Sequence, residues 1–109
     1  MVRYAGGKRV FLQEVGYASS DKIASAGKQA EFITRMFAAL RANPGVMAAN
    51  FVWMSDLPDS VVEDLTKYYS LAGNSNFREY LATLGYFDKN GRAKPAWDVL
   101  RREAAAFTQ

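Results

Sequence analysis

Two apolar runs flanking one amphipathic stripe constrain this chain more than any other feature. Val10-Phe11-Leu12 and Val46-Met47-Ala48-Ala49-Asn50-Phe51-Val52-Trp53 are almost continuously apolar. That is the pattern of strands covered on both faces, whereas a strand with one wet face alternates. Between them Ile33, Met36, Phe37 and Leu40 recur at i, i+3, i+4 and i+7. Ala26 and Ala30 extend the stripe backwards, Ser25 stands where an N-cap belongs, and Asn43-Pro44-Gly45 supplies the stop. Strand, helix, strand is a βαβ unit, so the expected fold class is α/β, with two parallel strands joined by a right-handed crossover helix. Such a unit sets both strand carboxyl ends on one rim, where ligand sites of parallel α/β folds form.

The residues at that rim carry the chemistry. Glu14 stands where the first run meets a loop and is followed by Val15-Gly16-Tyr17; Trp53 and Asp56 close the second run before Leu57-Pro58 breaks it. A glutamate at a strand end also serves as an ordinary solvated loop residue, or as a partner of Lys8 or Arg9 that stabilises the fold.

Beyond Pro58 the pattern turns helical. Asp59 or Ser60 is placed to cap a segment whose stripe is Val62, Leu65 and Tyr69, bordered by Val61 and Tyr68, and Gly73-Asn74-Ser75-Asn76 breaks it. Phe77, Tyr80, Leu81 and Leu84 then repeat at helical spacing, and these aromatics read as core or interface. Asp88-Lys89-Asn90-Gly91 reads as a tight reversal. Pro95 suits the first turn of a last helix that presents Trp97, Leu100, Ala104 and Phe107 on one side.

At this point the segments carry a family resemblance. Lys8 to Tyr17 resembles the seventh strand of the retaining (β/α)8-barrel glycosidases, the clan of cellulases, β-mannanases and β-galactosidases, where a Glu-x-Gly-aromatic context ends the strand. Phe51 to Asp56 resembles the eighth strand, and Leu84 to Trp97 is similar to the late loop and start of the final helix. The three matches fall in order and span nearly the whole chain. The resemblance implies a single domain over residues 1–109 corresponding to the last quarter to third of such a barrel. It implies Glu14 as the catalytic nucleophile and Trp53 as the floor of the sugar subsite. Tyr17 would orient the nucleophile or the sugar, with Asp56 and Asn50 as further substrate-binding residues.

The same resemblance marks what is lacking. A barrel of this kind takes ~250 residues, against 109 here. The clan's general acid follows an Asn on the fourth strand, and the sequence contains no Asn-Glu pair. Retaining hydrolysis uses two carboxyl groups ~5–5.5 Å apart; Asp56 is the only other carboxylate expected near Glu14, and nothing in Met54-Ser55-Asp56-Leu57 favours a protonated acid.

Composition excludes several classes. With 50% hydrophobic and 14% aromatic residues the chain suits a packed domain and not a disordered tail. Its net charge of +3 is scattered from Arg3 to Arg102 and not gathered into a stripe, which argues against nucleic acid as a partner. Without cysteine or histidine there is no disulfide, no thiolate or imidazole chemistry and no ordinary zinc ligand set, so no cofactor or metal is expected. No run reaches the ~18–20 apolar residues of a membrane span, and the start lacks a secretory-signal pattern. The chain reads as soluble, with no compartment assigned and no membrane partner.

Two parallel strands with helices on one face leave apolar surface and open edges on the other. The expected partners are therefore further copies of the chain or a complementary barrel segment, and the resemblance adds a carbohydrate. Two function classes follow. The chain is a glycoside hydrolase-like barrel piece that carries the nucleophile strand and is inactive alone for lack of the acid, or it is a non-catalytic oligomeric module with at most weak carbohydrate binding.

Overall fold

The computed structural model describes residues 2–107. After a short 3-10 turn the elements are β1 (Val10–Val15), α1 (Ala26–Ala42), β2 (Val46–Phe51), α2 (Asp59–Tyr68), α3 (Ser75–Ala82) and α4 (Pro95–Ala105). β1 and β2 pair in parallel as a two-stranded sheet, with α1 as their connection. The α/β class and the parallel pair match the expectation from hydrophobic pattern. Among the described residues no helix is long and apolar enough to cross a membrane.

Ser25 caps α1 as its position implies, its Oγ accepting from the Lys28 N–H at 3.0 Å. Ile33, Phe37 and Leu40 are buried on the face that meets the strands and α4. Phe37 lies parallel to Phe51 of β2, with ring centroids 5.3 Å apart, and takes the edge of Phe107 at 5.5 Å. Ala96 at the start of α4 is fully buried in this cluster. Ala104, expected on the inner face of α4, is exposed, and Val99 packs inward instead.

The strands depart from the expected double coverage. Phe11 is 57% exposed and Met47 55%, because α1 and α4 cover only one face of the sheet. The pairing is also irregular. Val10 faces Val46 while Phe11 faces Ala48, so β2 carries an extra residue; Leu12 faces Ala49 while Val15 faces Phe51, so β1 carries one at Gln13-Glu14. An inserted residue breaks strand alternation and re-aims side chains. Gln13 and Glu14 are accordingly both exposed, and Val15 is buried.

α2 and α3 form a second, smaller core from Val62, Leu81 and Leu84, against which Trp53, Leu65 and Phe77 pack. Neither Asp59 nor Ser60 caps α2: Pro58 occupies that place, with no side-chain cap, and Asp59 is the first helical residue, paired with Lys89. Thr66 is the buried member of the stripe instead of Tyr69, since the helix has ended by Ser70, which takes the left-handed φ of 58°. Asn74 caps α3 by accepting the Phe77 N–H at 2.8 Å, which draws Ser75 and Asn76 into the helix. In the reversal before α4, Gly91 supplies the positive φ (77°) and the Asp88 carboxylate accepts the Asn90 and Arg92 N–H groups. The Arg92 N–H foremost holds that carboxyl below its ordinary range.

Candidate active site

The rim is assembled by close approach of two strand ends. The Val52 N–H donates to Val15 O at 2.9 Å, continuing the ladder beyond β2. A Cβ on Gly16 would lie 2.9 Å from Val52 O and 3.2 Å from Leu84 Cδ2, so only glycine permits this contact. The glycine two residues after Glu14 thus presses the end of β1 against the residue before Trp53. Trp53 O accepts the Tyr86 N–H at 3.0 Å, and the Val52–Trp53 peptide is cis.

Glu14, Gly16 and Trp53 line one cavity of about 520 Å³, whose facing wall comes from α2, α3 and the loop joining them through Tyr69, Phe77 and Tyr80. Among the described residues no group hydrogen-bonds to or forms an ion pair with the exposed Glu14 carboxylate; the pairing with Lys8 or Arg9 considered as a stabilising alternative is not formed. The cavity is mostly apolar, with this carboxylate, the Trp53 indole and the tyrosine hydroxyls as its polar side-chain groups. A mostly apolar lining with a few polar groups is the general make-up of small-ligand pockets.

Asp56 lies elsewhere and is engaged through Oδ1. Its Oδ1 accepts from Lys94 Nζ at 2.6 Å and from the Gly85 N–H at 2.9 Å, and both charged side chains are nearly buried, at 10% and 12% exposure. Lys94 also donates to Ser19 Oγ at 2.9 Å, tying the loop after β1, the segment after β2 and the start of α4 to one ammonium. Gly85 is required here, because a Cβ would fall 2.1 Å from Asp56 N. Asp56 faces a different depression of about 660 Å³ that shares no lining residue with the first. The charges there are matched internally: Asp59 with Lys89, Arg78 with Glu63, Glu79 with Ser20 and Lys22. We therefore place the candidate site in the smaller cavity.

The remaining sequence candidates lie apart from it. Tyr17 stacks on Phe32 with centroids 5.1 Å apart and borders a shallow depression with Lys28 and Arg35. Asn50 is exposed on β2 and lines neither large cavity. Conversely, Tyr69, expected on the inward stripe of α2, and Tyr80, expected in the core or an interface, are 56% and 39% exposed on the cavity wall. Gln29, fully buried on α1, was invisible to a hydrophobic scan; its Nε2 donates to the carbonyls of Tyr17, Leu84 and Gly85 and so locks the loop behind the rim. Among the described residues no three His, Cys, Asp or Glu side chains cluster as a metal site would need.

No family model matches the chain, and no curated protein does. Solved structures do. A GH5_18 protein from Bifidobacterium longum subsp. infantis matches with a TM-score of 0.65 and 22% identity over 93% of this chain and 20% of its own. A GH5_18 protein from Streptomyces cattleya, solved with GlcNAc, gives 0.62 and 24% over 94% and 22%. A variant from the same organism, solved with Manβ1-4GlcNAc, gives 0.58 and 25% over 92% and 22%. The chain thus spans about a fifth of the length of the structures it matches. In fold it is a partial (β/α) barrel, similar along nearly all its residues to one segment of a GH5_18 glycoside hydrolase.

Proposed function

We propose that this chain supplies the nucleophile strand and sugar platform of a retaining glycoside hydrolase site, with Glu14 as nucleophile and Trp53 as platform. The observation that carries this reading is their convergence from adjacent strand ends on one cavity, with the Glu14 carboxylate engaged by none of the described residues. In the reaction a Glu14 carboxylate oxygen attacks the anomeric carbon as the bond to the leaving oxygen breaks, and water then cleaves the glycosyl ester. Protonation of a natural leaving group needs a second carboxyl group. Asp56 does not supply it, since Lys94 and Gly85 hold its Oδ1 in another depression. The acid would come from a complementary barrel segment docked on the open side of the sheet, where Phe11 and Met47 are exposed. The ligand is a pyranoside, in keeping with the saccharides bound by the matched Streptomyces proteins.

An activated aryl glycoside tests this, because a good leaving group departs without protonation. Incubation of the chain with 2-deoxy-2-fluoro aryl glycosides of the gluco and manno series should release the phenolate and leave a glycosyl adduct on Glu14. Glu14→Gln should remove both signals. A chain that gives neither signal with the whole series, while binding saccharides through Trp53, would be the non-catalytic module. The engagement of Asp56 by Lys94 is the observation that favours that second reading.

A further inference from the structure

Among the described residues no strand pairs with the outer edge of β1. Val10 donates its N–H to Gly45 O at 2.8 Å and Val15 O accepts from the Val52 N–H, which turns these backbone groups towards β2. In a parallel ladder the groups of the next residue point the other way, so Phe11 presents its N–H and C=O outward, as do Arg9 and Gln13 two places to either side. Such a row is a template for a further strand. Its side chains are open as well: Arg9, Phe11, Gln13 and Glu14 are all exposed, Phe11 at 57%. Among the described residues neither Arg9 nor Glu14 forms an ion pair.

We propose that this edge pairs with the same edge of a second copy of the chain, antiparallel and about a two-fold axis through Phe11. The order of residues along the strand argues for that occupant. Phe11 then lies opposite Phe11 of the other copy, Val10 opposite Leu12, and Arg9 opposite Gln13, where β1 carries its extra residue and the Glu14 carboxylate stands. Apolar residues meet apolar ones at the centre, a guanidinium meets a carboxylate at each end, and the outward backbone groups of Arg9, Phe11 and Gln13 all find partners. Because the pairing is isologous, each contact away from the axis occurs twice. Sliding the register by two residues sets Phe11 against Gln13 or against Arg9 and forfeits the charge match. A parallel arrangement aligns like charges, Arg9 with Arg9 and Glu14 with Glu14. The antiparallel pairing joins two sheets of two strands into one of four, past the size at which a sheet with an apolar face becomes stable. This inference is independent of the sugar-binding reading, yet it bears on the same residue. A self-paired chain holds a guanidinium beside Glu14 and occupies a sheet edge that a complementary barrel segment needs, so the two assemblies exclude one another.

Light scattering after size-exclusion chromatography, run on the full chain as a dilution series, tests it. The unaltered chain should approach twice its 12.1 kDa mass at the concentrated end. Phe11→Lys sets two ammonium groups against each other on the axis and should leave monomer throughout, whereas Phe11→Leu should keep the dimer. Arg9→Glu and Glu14→Arg should each weaken dimerisation about tenfold, since each places like charges together at both ends. An equimolar mixture of these two variants should dimerise as well as the unaltered chain, because every end of the mixed pair again joins opposite charges. Helical circular dichroism equal to that of the unaltered chain separates a lost interface from a lost fold. A chain monomeric at every concentration, a dimer that survives Phe11→Lys, or a mixture of the charge variants no more dimeric than either alone would overturn the proposal. So would a higher-order mass that Met47→Lys removes, which would assign the contact to β2.

Discussion

Glu14, near the end of β1, and Asp56, beyond the end of the adjacent β2, are both carboxylates, and the fold treats them in opposite ways. Asp56 is nearly buried, bridged to Lys94 and capped by the Gly85 N–H; around it Ser19, Thr83 and Tyr86 lock four segments together. Glu14 is exposed on an apolar cavity with none of the described residues bound to it. The contrast teaches that a rim residue's chemistry follows from the side chains around it more than from its type. Asp56 is surrounded by donors, as a structural carboxylate is; Glu14, the nucleophile of the proposal, is held by its backbone alone. Here the β1 insertion at Gln13-Glu14 and the bare contact at Gly16 aim Glu14, and no side-chain anchor does.

The largest expected break of this comparison is Asp56→Ala. It leaves a buried ammonium without its counter-charge and should cost about 3–5 kcal/mol in urea denaturation, a large share of the stability of a domain this small. Asp56→Leu combined with Lys94→Met should recover much of that loss, since removing both charges is far cheaper than orphaning one.

Tyr86 sharpens the anchored side. Its hydroxyl is buried with no hydrogen-bond partner among the described residues, and burial pushes its ionisation from 10.0 up to about 12. Because the folded value is raised, the associated stability is fully present below pH 10 and is lost as pH climbs from 10.0 towards 12. The loss is on the order of 2–3 kcal/mol. Tyr86→Phe should abolish this component of alkaline unfolding and change neutral stability by less than ~1 kcal/mol, since no partner is orphaned. A Phe variant that loses stability in parallel with the unaltered chain between pH 10 and 12 would contradict the assignment.

Gly16→Ala probes the open side with a smaller effect. Its Cβ would sit 2.9 Å from Val52 O, and relieving that overlap should cost about 1–3 kcal/mol. The displacement reaches Trp53, so its fluorescence maximum should shift. An unchanged spectrum with unchanged stability would mean that the strand ends are not pressed together as described.

The βαβ core was legible because both of its periods are local. Ile33, Phe37 and Leu40 announce a helix face, and Ser25 with Asn43-Pro44-Gly45 brackets it. What escaped depends on distance or on one residue's displacement. Asp56 and Lys94 lie 38 positions apart, and nothing near either residue foretells the pairing. Single-residue insertions in β1 and β2 leave no mark on composition yet decide that Glu14 points outward. Gln29 and Thr66 are buried polar residues whose partners are carbonyls, so hydrophobic spacing passes over them. Tyr69 falls just beyond the last residue of α2, and one residue of helix length moves it from the core stripe to the cavity wall.

The central claim is that the fold makes no structural use of the Glu14 carboxylate. Equilibrium urea denaturation of Glu14→Gln beside Asp56→Asn tests it directly. Glu14→Gln should keep or gain stability, within about 1 kcal/mol, while Asp56→Asn should lose several times that amount. A Glu14→Gln chain destabilised as much as Asp56→Asn would show that Glu14 too is an anchor, and the nucleophile assignment would fall with it.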